Sequence, residues 1–475
     1  MLAKVRGAKA KRRQKAKAKV PVDRTGARAG DVARKYLVEA YGCQMNMHDG
    51  ERLAGLLESA GFESTADPAD ADVIVINTCS VRERAEDKLF TRLGEFRDAA
   101  RAVGHTPVIA VTGCVAQQEG AALLKRSKLI DIVVGTQRVK QLPMLVTRAL
   151  DEDIGPQIDI NPHEDVSFPL GIARRGDAVK AYVTIIEGCN EFCAFCVVPY
   201  TRGHERMRPA AEILAEVRDA AARGHREVQL LGQIVNHYQA PDDGACDFAA
   251  LLERVHEVEG IERIRFASPH PRHVTSRLLE AYRTLPKVCK HLHLPVQSGS
   301  TRVLAAMRRR YSRERYLEIL QEVREAVPGI CLSTDMIVGF PGETTADFED
   351  TLSLTAAARF HSMFSFKYSP RPKTLAIKRM PDDVAEEEKT RRIVELQAMQ
   401  REIQSDLHAQ SVGRVEQVLI DATSRRREHE LSGRTSGNTV VNLPGDPAWL
   451  GRLAQVRITA AGPNSVRGEV LEVEG

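Results

Sequence analysis

Apolar and polar positions alternate regularly from Lys35 to about residue 150. Short apolar runs, which predict buried strands, are separated by longer stretches whose apolar residues have helical spacing. Alternating strands and helices are typical of a parallel α/β sheet. We therefore predict an N-terminal α/β domain over residues 35–150, with strands at 36–42, 71–78, 107–113 and 131–136.

The same alternation resumes after an irregular segment. Residues 151–178 show no periodicity and contain Gly, Pro and acidic residues, so we predict a linker there. Six strand–helix units and a charged helix at 384–410 then predict a (β/α)6 partial barrel over residues 179–410, with its reactive groups at the carboxyl ends of the strands. The six strands are expected at 181–188, 227–232, 263–268, 291–297, 332–340 and 363–369.

Near residue 411 short alternating strands and turns replace the helices. They predict a small OB-like β-barrel over residues 411–475, with strands at 414–422, 434–444, 451–462 and 465–474. Such barrels often bind single-stranded nucleic acid, although Trp449 is the one large aromatic here. Five arginines are candidates for phosphate contacts, and a solvated charged face explains each of them about as well: Arg425, Arg426, Arg427, Arg434 and Arg452.

Composition and charge limit the possible settings of the protein. The chain has 475 residues, too many for one core, and no apolar run approaches the roughly 18 residues of a membrane span. Without a signal peptide we expect a cytoplasmic protein that does not contact membranes, and without coiled-coil heptads we expect a monomer. Residues 1–20 carry nine Lys or Arg and no acid, so residues 1–34 are predicted to form a basic disordered tail. The tail would add salt-sensitive attraction to a polyanion; a solubilising extension explains it equally well, and a transit peptide less well.

The stretch GCNEFCAFCVVPYTRG, residues 188–203, contains three cysteines in the spacing C-x3-C-x2-C: Cys189, Cys193 and Cys196. Three thiolates cannot close a structural zinc site, which takes four protein ligands. They can hold three irons of a cubane cluster and leave the fourth iron open for a small ligand. The alternatives are a zinc loop with a distant fourth ligand, or free thiols on a turn.

Three other cysteines each follow one of the first three predicted strands: Cys43, Cys79 and Cys114. Because the carboxyl ends of parallel strands share one edge of a sheet, we predict that the three converge, although they span 71 residues. Buried structural cysteines are the usual alternative, but three at one topological position favour a second iron–sulfur cluster. Cys246, Cys289 and Cys331 have no partner motif and are expected to be structural.

Polar residues gather at the ends of the predicted barrel strands. Each alone is explained as a loop or capping residue, whereas together they would line a pocket; they are Gln233, Ser268, His270, Gln297, Ser298, Asp335 and Glu343. Gly339, Pro341 and Gly342 predict a tight turn that brings backbone amides close to a ligand.

The combination of these features resembles the radical S-adenosylmethionine (SAM) methylthiotransferases, from about residue 35 to the end. The core motif is Cys189, Cys193 and Cys196, with the aromatic Phe195 before the last cysteine. Met207, Ile234 and Ser268 depart from the family pattern. The stretches that carry the resemblance are YGCQMNMHDGE, NTCSVRERAEDKLF, GCNEFCAFCVVPYTRGHE, HLHLPVQSGS, TDMIVGFPGET and FKYSPRPKT.

The resemblance implies two 4Fe-4S clusters and SAM as cofactors. The cluster on Cys189, Cys193 and Cys196 would cleave SAM to a radical that takes hydrogen from carbon 2 of an adenine, and the cluster on the other triad would supply sulfur. A second SAM would give the methyl group. Four residues are implied as SAM contacts: Phe195, Gln233, Gln297 and Asp335. The tail barrel would correspond to a TRAM-like domain.

The loop text NTCSVRE and VVPYTRG is similar to the branch that acts on isopentenyladenosine beside the tRNA anticodon. This implies the tRNA anticodon stem-loop as partner, held by phosphate contacts, together with an electron-donor protein and a sulfur source. Two alternatives remain open. A sister enzyme would act on threonylcarbamoyladenosine in tRNA or on a ribosomal-protein aspartate, and a non-enzymatic iron–sulfur or zinc module would only bind RNA.

Overall fold

The computed structural model describes residues 33–80, 83–152, 154–162, 166–424, 427 and 429–474. Nearly all of the predicted basic tail, together with Arg425 and Arg426, therefore lies outside the described residues. Three parts follow one another along the chain: a parallel α/β sheet, a partial barrel of parallel strands, and a closed barrel of five strands. The predicted fold class is confirmed.

The N-terminal sheet has six parallel strands in the order β2-β1-β3-β4-β5-β6. All six residues of β3 are buried, as expected for a parallel sheet with helices on both faces. The elements are β1 Lys35–Tyr41, α1 Gln44–Ser59, β2 Glu63–Ser64, β3 Val73–Thr78, α2 Glu83–Val103, β4 Val108–Thr112, α3 Gly113–Glu119, α4 Ala121–Arg126, β5 Ile132–Val134, α5 Leu142–Asp151 and β6 Gln157–Asp159.

The strand β6 lies inside the segment predicted to be a linker. It pairs with β5 through Ile132 and Gln157, so the sheet continues beyond residue 150. The sequence analysis missed it because this edge strand is three residues long and has a single apolar residue, Ile158. Such a strand is held by its neighbour and shows no hydrophobic alternation of its own.

The central part contains the six predicted strands as two three-stranded parallel sheets, β11-β10-β7 and β12-β13-β14, which a bridge between Ile264 and Val288 connects. Its elements are β7 Lys180–Thr184, β8 Ile186–Glu187, α6 Val198–Thr201, β9 Arg206–Met207, α7 Ala210–Ala222, β10 Glu227–Leu231, α8 Phe248–His256, β11 Arg263–Phe266, α9 Ser276–Thr284, β12 His291–His293, α10 Thr301–Ala306, α11 Arg313–Ala326, β13 Cys331–Val338, α12 Thr345–Ala358, β14 Ser362–Lys367, α13 Leu375–Arg379 and α14 Glu386–Ala409.

Alternate residues of these strands face opposite sides. Val228, Leu230 and Ile264 join the core that packs under the helices. The intervening positions face the barrel lumen and are largely polar; they include Tyr182, Gln229, Arg265, His293 and Asp335. The lumen is therefore a polar space enclosed by an apolar shell.

The C-terminal barrel closes in the order β15-β16-β17-β19-β18, with strands β15 Val415–Thr423, β16 Glu430–Thr435, β17 Val440–Pro444, β18 Leu453–Ala461 and β19 Val466–Val473. The run predicted as one strand at 434–444 contains the turn between β16 and β17. Arg265 donates hydrogen bonds to the Thr435 and Ser436 carbonyls of this turn, at 2.8 and 3.2 Å. Lys180, the first residue of β7, pairs with Asp421 at 2.7 Å. The small barrel thus covers the amino ends of the core strands.

No helix among the described residues is long and apolar enough to cross a membrane.

Candidate metal centres

The first cysteine triad occupies the loop that follows β8. The Cys196 amide donates to the Cys193 carbonyl at 3.0 Å, and the Glu191 amide lies 3.5 Å from Cys189 Sγ. Burial, with a smaller contribution from the neighbouring thiols, raises the pKa of Cys189 to about 11 and that of Cys196 to about 12. Three thiolates packed this closely need a cationic centre to stay ionised, which is what bound iron provides.

Arg309 lies beside this triad and was missed by the sequence analysis. It is 5% exposed, and its Nη1 lies 3.5 Å from Cys193 Sγ. Its Nε donates to Tyr311 Oη and its Nη2 to the Pro295 carbonyl, each at 2.8 Å. The flanking Arg308 and Arg310 both have φ of +59°, a left-handed conformation that costs about 1–3 kcal/mol at a non-glycine residue. The RRRY run was the available signal, but a charge run usually marks a solvated face.

The second triad assembles where three parallel strands end. Cys43 caps α1, Cys79 directly follows β3, and Cys114 lies in the first turn of α3. A hydrogen bond with Cys79 is the largest cause that lowers the pKa of Cys43 to about 6. Burial raises the pKa of Cys114, and the Cys43 charge raises it further. The predicted convergence of the three side chains is confirmed; their role as cluster ligands stays a prediction.

Arg202 was also missed, and it connects the two triads. It follows Cys196 by six residues, yet its charge acts on Cys43 and Cys114 and favours their thiolate forms. Its Nη2 donates to Asp49 Oδ2 of α1 at 2.6 Å, and its carbonyl accepts from Gln137 Nε2 at 2.8 Å. One short segment of the core therefore reaches from the first triad to the second.

Glycine precedes three of the six cysteines, at Gly42, Gly113 and Gly188. Gly113 has φ of +87°, and a Cβ there would lie 2.3 Å from Asn77 Oδ1. Gly188 has φ of +82°, and a Cβ would lie 2.0 Å from the His204 carbonyl oxygen. Only glycine tolerates this backbone at such close approach, so these residues fix the direction in which the chain presents the following cysteine.

Among the described residues, no three His, Cys, Asp or Glu side chains are arranged around a single metal ion. Each thiolate of a cubane cluster binds a different iron, so three cluster ligands stand farther apart than three ligands of one ion.

The expected SAM residues occupy the carboxyl end of the barrel. Gln297 (φ +79°) links two strands, because its amide donates to the Asp335 carbonyl at 2.9 Å and its carbonyl accepts from the Ile337 amide. The Asp335 carboxylate lies 3.4 Å from His293 Nε2 in the lumen. Gln233 Oε1 is buried without a hydrogen-bond partner in the part of the chain that the structure describes. Phe195 packs on the apolar cluster beneath the first triad.

Other strand-end residues have partners within the fold. Glu343 accepts from Arg392 Nη1 of α14 at 2.7 Å, Ser298 Oγ from the Ser300 amide at 3.2 Å, and His270 Nδ1 from the Arg272 amide at 3.2 Å. Ser268 has φ of +62°. In the small barrel Arg427 pairs with Glu430 and Arg434 with Asp421, while Arg452 is exposed.

Three family profiles match the chain in order. The first, described as the uncharacterized protein family UPF0004, matches residues 35–135. The Radical SAM superfamily matches residues 183–355, and the TRAM domain matches residues 409–471. The three matches have the same order along the chain as the three structural parts, and the second ends at residue 355, before β14, α13 and α14.

Similar proteins share almost the whole chain. A tRNA-2-methylthio-N(6)-dimethylallyladenosine synthase of Thiobacillus denitrificans is 46% identical over 444 residues, 93% of this chain and 99% of the relative. The synthase of the same name from Halorhodospira halophila is 46% identical over 451 residues, 94% of both chains. The chain belongs to this synthase family. Membership confirms the resemblance to the methylthiotransferases, and it disfavours the alternatives of a ribosomal-protein substrate and a module that only binds RNA.

Solved structures of distant sequence share the fold of this synthase family member. TsrM from Kitasatospora setae, a radical SAM methyltransferase with cobalamin and a [4Fe-4S] cluster bound, superposes with a TM-score of 0.54 at 15% identity, covering 72% of this chain and 74% of its own. OxsB, a cobalamin-dependent SAM radical enzyme, gives a TM-score of 0.50 at 14% identity over 78% and 56% of the two chains. At these identities the likeness concerns the fold alone.

Proposed function

We propose that this protein adds a methylthio group to carbon 2 of N6-isopentenyladenosine (dimethylallyladenosine) beside the anticodon of tRNA. The observation that carries the proposal is 46% identity to a synthase of that product over 93% of the chain. The two cysteine triads fit it independently, since each offers three buried or half-buried thiols and leaves one iron of a cubane open.

The residues present fit two 4Fe-4S clusters and SAM. Cys189, Cys193 and Cys196 would hold the cluster that binds SAM, and Cys43, Cys79 and Cys114 would hold the second. When bound, these groups supply the radical, the sulfur and the methyl group, a chemistry that no side chain provides. Arg309 and Arg202 place one buried cation beside each triad, which offsets the cost of burying anionic ligands.

The chain's own contribution is orientation and exclusion of water. Arg202 and Asp49 connect the two parts at 2.6 Å, and Thr184 Oγ1 of β7 lies 3.9 Å from Met45 Sδ of α1. The start of α1, which follows Cys43, is thereby held at the carboxyl end of β7.

The lumen offers a place for an unstacked adenine. Phe364 and Phe366 of β14, 55% and 40% exposed, stand on the same face as Asp335. Exposed aromatic rings suit base stacking, and single-stranded loops are the parts of RNA whose bases can be splayed out. We assign Phe195, Gln233, Gln297 and Asp335 to SAM contacts and the small barrel to phosphate contacts with the anticodon arm.

The test is anaerobic. Full-length protein reconstituted with iron and sulfide is given SAM, a reductant and tRNA that carries isopentenyladenosine, and the digested nucleosides are analysed by mass spectrometry. A product heavier by one methylthio group is expected, and tRNA without the isopentenyl group is the matched control. SAM cleavage with unchanged tRNA would redirect the assignment to the sister substrate. No SAM cleavage by an iron-loaded sample would refute the enzyme.

The proposal includes an electron-donor protein, a sulfur source and a monomeric enzyme that acts in the cytoplasm. Light scattering of the complex with tRNA tests the monomer, which predicts a mass of one 52.5 kDa chain plus one tRNA.

A further inference from the structure

A cavity of about 220 Å³ lies between the N-terminal part and the core, and none of the cysteines lines it. Arg52 of α1, Arg175 of the connecting segment and Arg208 before α7 contribute to its wall, with Glu212 and Glu216 of α7. Residues 168–173 and Ala215 complete the lining. Three segments distant in sequence therefore each bring one arginine to the same space.

The three guanidinium groups are almost completely buried. Their side chains are 1%, 3% and 3% exposed for Arg52, Arg175 and Arg208. Glu216 accepts from Arg208 Nη1 at 2.7 Å and from Arg175 Nη2 at 3.1 Å. Burial opposes its ionisation, but these arginines hold the pKa of Glu216 below its usual value. Glu216 is therefore charged and is shared by two of the three cations.

Arg52 lacks an equivalent partner. Its Nη1 is 3.5 Å from Glu187 Oε1, at the outer limit of a hydrogen bond, and its guanidinium stacks 4.3 Å from the centroid of Phe168. Its Nε and Nη2 are buried with no hydrogen-bond acceptor among the described residues. A buried cation left in this state is costly, because the group has lost its hydration without replacement.

The other two arginines add unsatisfied donors to the same wall. Arg175 Nε and Nη1 make no hydrogen bond within the described residues, and the nearest carboxylate oxygen to Nη1 in an ion pair is Asp219 Oδ2 at 3.7 Å. Arg208 Nε also makes no hydrogen bond there. Arg208 Nε is 3.8 Å from Glu212 Oε2. The Glu212 side chain is 38% exposed as a whole, but this Oε2 is buried and makes no hydrogen bond within the described residues, so at 3.8 Å the pair leaves both groups unsatisfied. Deeper in the cavity, cationic donors from three segments face one space.

We propose that this cavity binds a small tetrahedral oxyanion of the phosphate or sulfate class. Guanidinium groups present planar forks of N–H donors that match such oxygens, and one oxyanion can accept from all three arginines at once. Because the arginines are buried, a free anion fits better than a phosphate within an RNA backbone. Bound there, the anion joins α1, the connecting segment and α7, and it stabilises the contact between the two parts that carry the cysteine triads.

Isothermal titration calorimetry of the reconstituted full-length protein tests this, independently of the proposed reaction. Inorganic phosphate is titrated against chloride at matched ionic strength, and saturable binding at one site is expected for phosphate only. Heat that depends on ionic strength alone would overturn the proposal. The titration is repeated with saturating tRNA to decide whether the oxyanion is free in solution or part of RNA. An unchanged affinity for phosphate supports a free anion, and competition by tRNA assigns the site to an RNA phosphate.

Variants locate the site. Arg175→Gln should weaken phosphate binding by at least about tenfold, while Arg218→Gln, an exposed arginine on the same helix α7, should leave it within about twofold. Since loss of a buried arginine can also unfold the protein, Glu212→Gln gives a result of opposite sign. Of the two described carboxylates in the lining Glu212 is the more exposed, and removal of its charge should tighten phosphate binding several-fold. Weaker or unchanged binding in that variant would contradict the proposal.

Discussion

The two cysteine triads reach similar surroundings by different routes. Cys189, Cys193 and Cys196 lie within eight residues of one loop, whereas Cys43, Cys79 and Cys114 come from three strand ends. Both triads are largely buried, and each has one buried arginine beside it. The first triad is therefore a local feature of the chain, and the second is a product of the fold.

The difference determines what each site depends on. The second triad requires the register of the sheet, in which Tyr41 pairs with Thr78 and Asn77 with Thr112. It also requires docking of the two parts, because Arg202 comes from the core. A one-residue slip in a strand would turn every side chain to the other face and separate the three thiols. The loop of the first triad is held by neighbouring segments of the core, since the Cys189 amide donates to the Gly203 carbonyl at 3.2 Å and the Ala194 amide to the Met307 carbonyl at 2.9 Å.

The largest expected effects come from replacing one cysteine of each triad, because the two replacements should stop different steps of the reaction. Cys193→Ala should abolish SAM cleavage, and Cys79→Ala should keep SAM cleavage but form no methylthiolated tRNA. Each should lose about half of the bound iron, since each removes one of two cubane sites. Iron analysis and assays of both products measure this. Cys289→Ala, at a buried cysteine outside both triads, is the control and should retain all iron. Full iron in Cys79→Ala would defeat the second cluster.

Replacing the two arginines should sharpen the same distinction. Arg309→Gln should slow SAM cleavage by about tenfold or more, because a charged hydrogen bond to Cys193 Sγ is lost. Arg202→Gln should leave SAM cleavage within about twofold and lower the yield of methylthiolated tRNA. Single-turnover assays of both products measure the two effects, and lysine at each position should restore part of the activity. For Arg309→Gln both products should fall together, because methylthiolation depends on SAM cleavage. For Arg202→Gln, equal losses in both assays would indicate general misfolding instead.

The smallest effects concern the glycines that precede the cysteines. Gly188→Ala and Gly113→Ala should each lower the free energy of unfolding by about 1–3 kcal/mol from the left-handed backbone alone, and more from the close contacts. Chemical denaturation of the apoprotein measures this. Gly188→Ala should lose iron from the first site only. Gly94→Ala is the control, since it lies within α2 with open space around it and should stabilise the helix by about 0.5–1 kcal/mol. Equal stability of all three variants would contradict the assigned role.

Much of this architecture was predictable, because strands and helices show as hydrophobic periodicities among residues close together in the sequence. Strands β1, β3, β4 and β5 and the six core strands show as apolar runs with the expected period. The short edge strand β6 and the turn between β16 and β17, which begins at Ser436, were not predicted. The first is held by pairing with β5, and the second lies within a run whose β-propensity continues on both sides.

The residues of the candidate site likewise fall into those that the sequence predicted and those that it did not. All six cysteines were located from their spacing and their positions after strands, and their ligand roles remain predictions. Arg202 and Arg309 were not found, because a long charged side chain shows no periodicity and points wherever packing directs it. The lumen residues Tyr182, Gln229 and His293 were predictable in principle, because they alternate with core residues along their strands. They were not among the predicted pocket residues, which were chosen at the ends of the strands.

The sequence by itself determined the order of three parts, the class of each, and two sets of thiols suited to iron. These follow from periodicities of two and 3.6 residues and from the soft chemistry of cysteine, which are properties of neighbouring residues. Only the tertiary structure decided which cation accompanies each triad, which end of the core the small barrel covers, and that Arg52, Arg175 and Arg208 surround one cavity. Those facts depend on how separate segments dock, and docking is set by the sum of many contacts that no single segment contains.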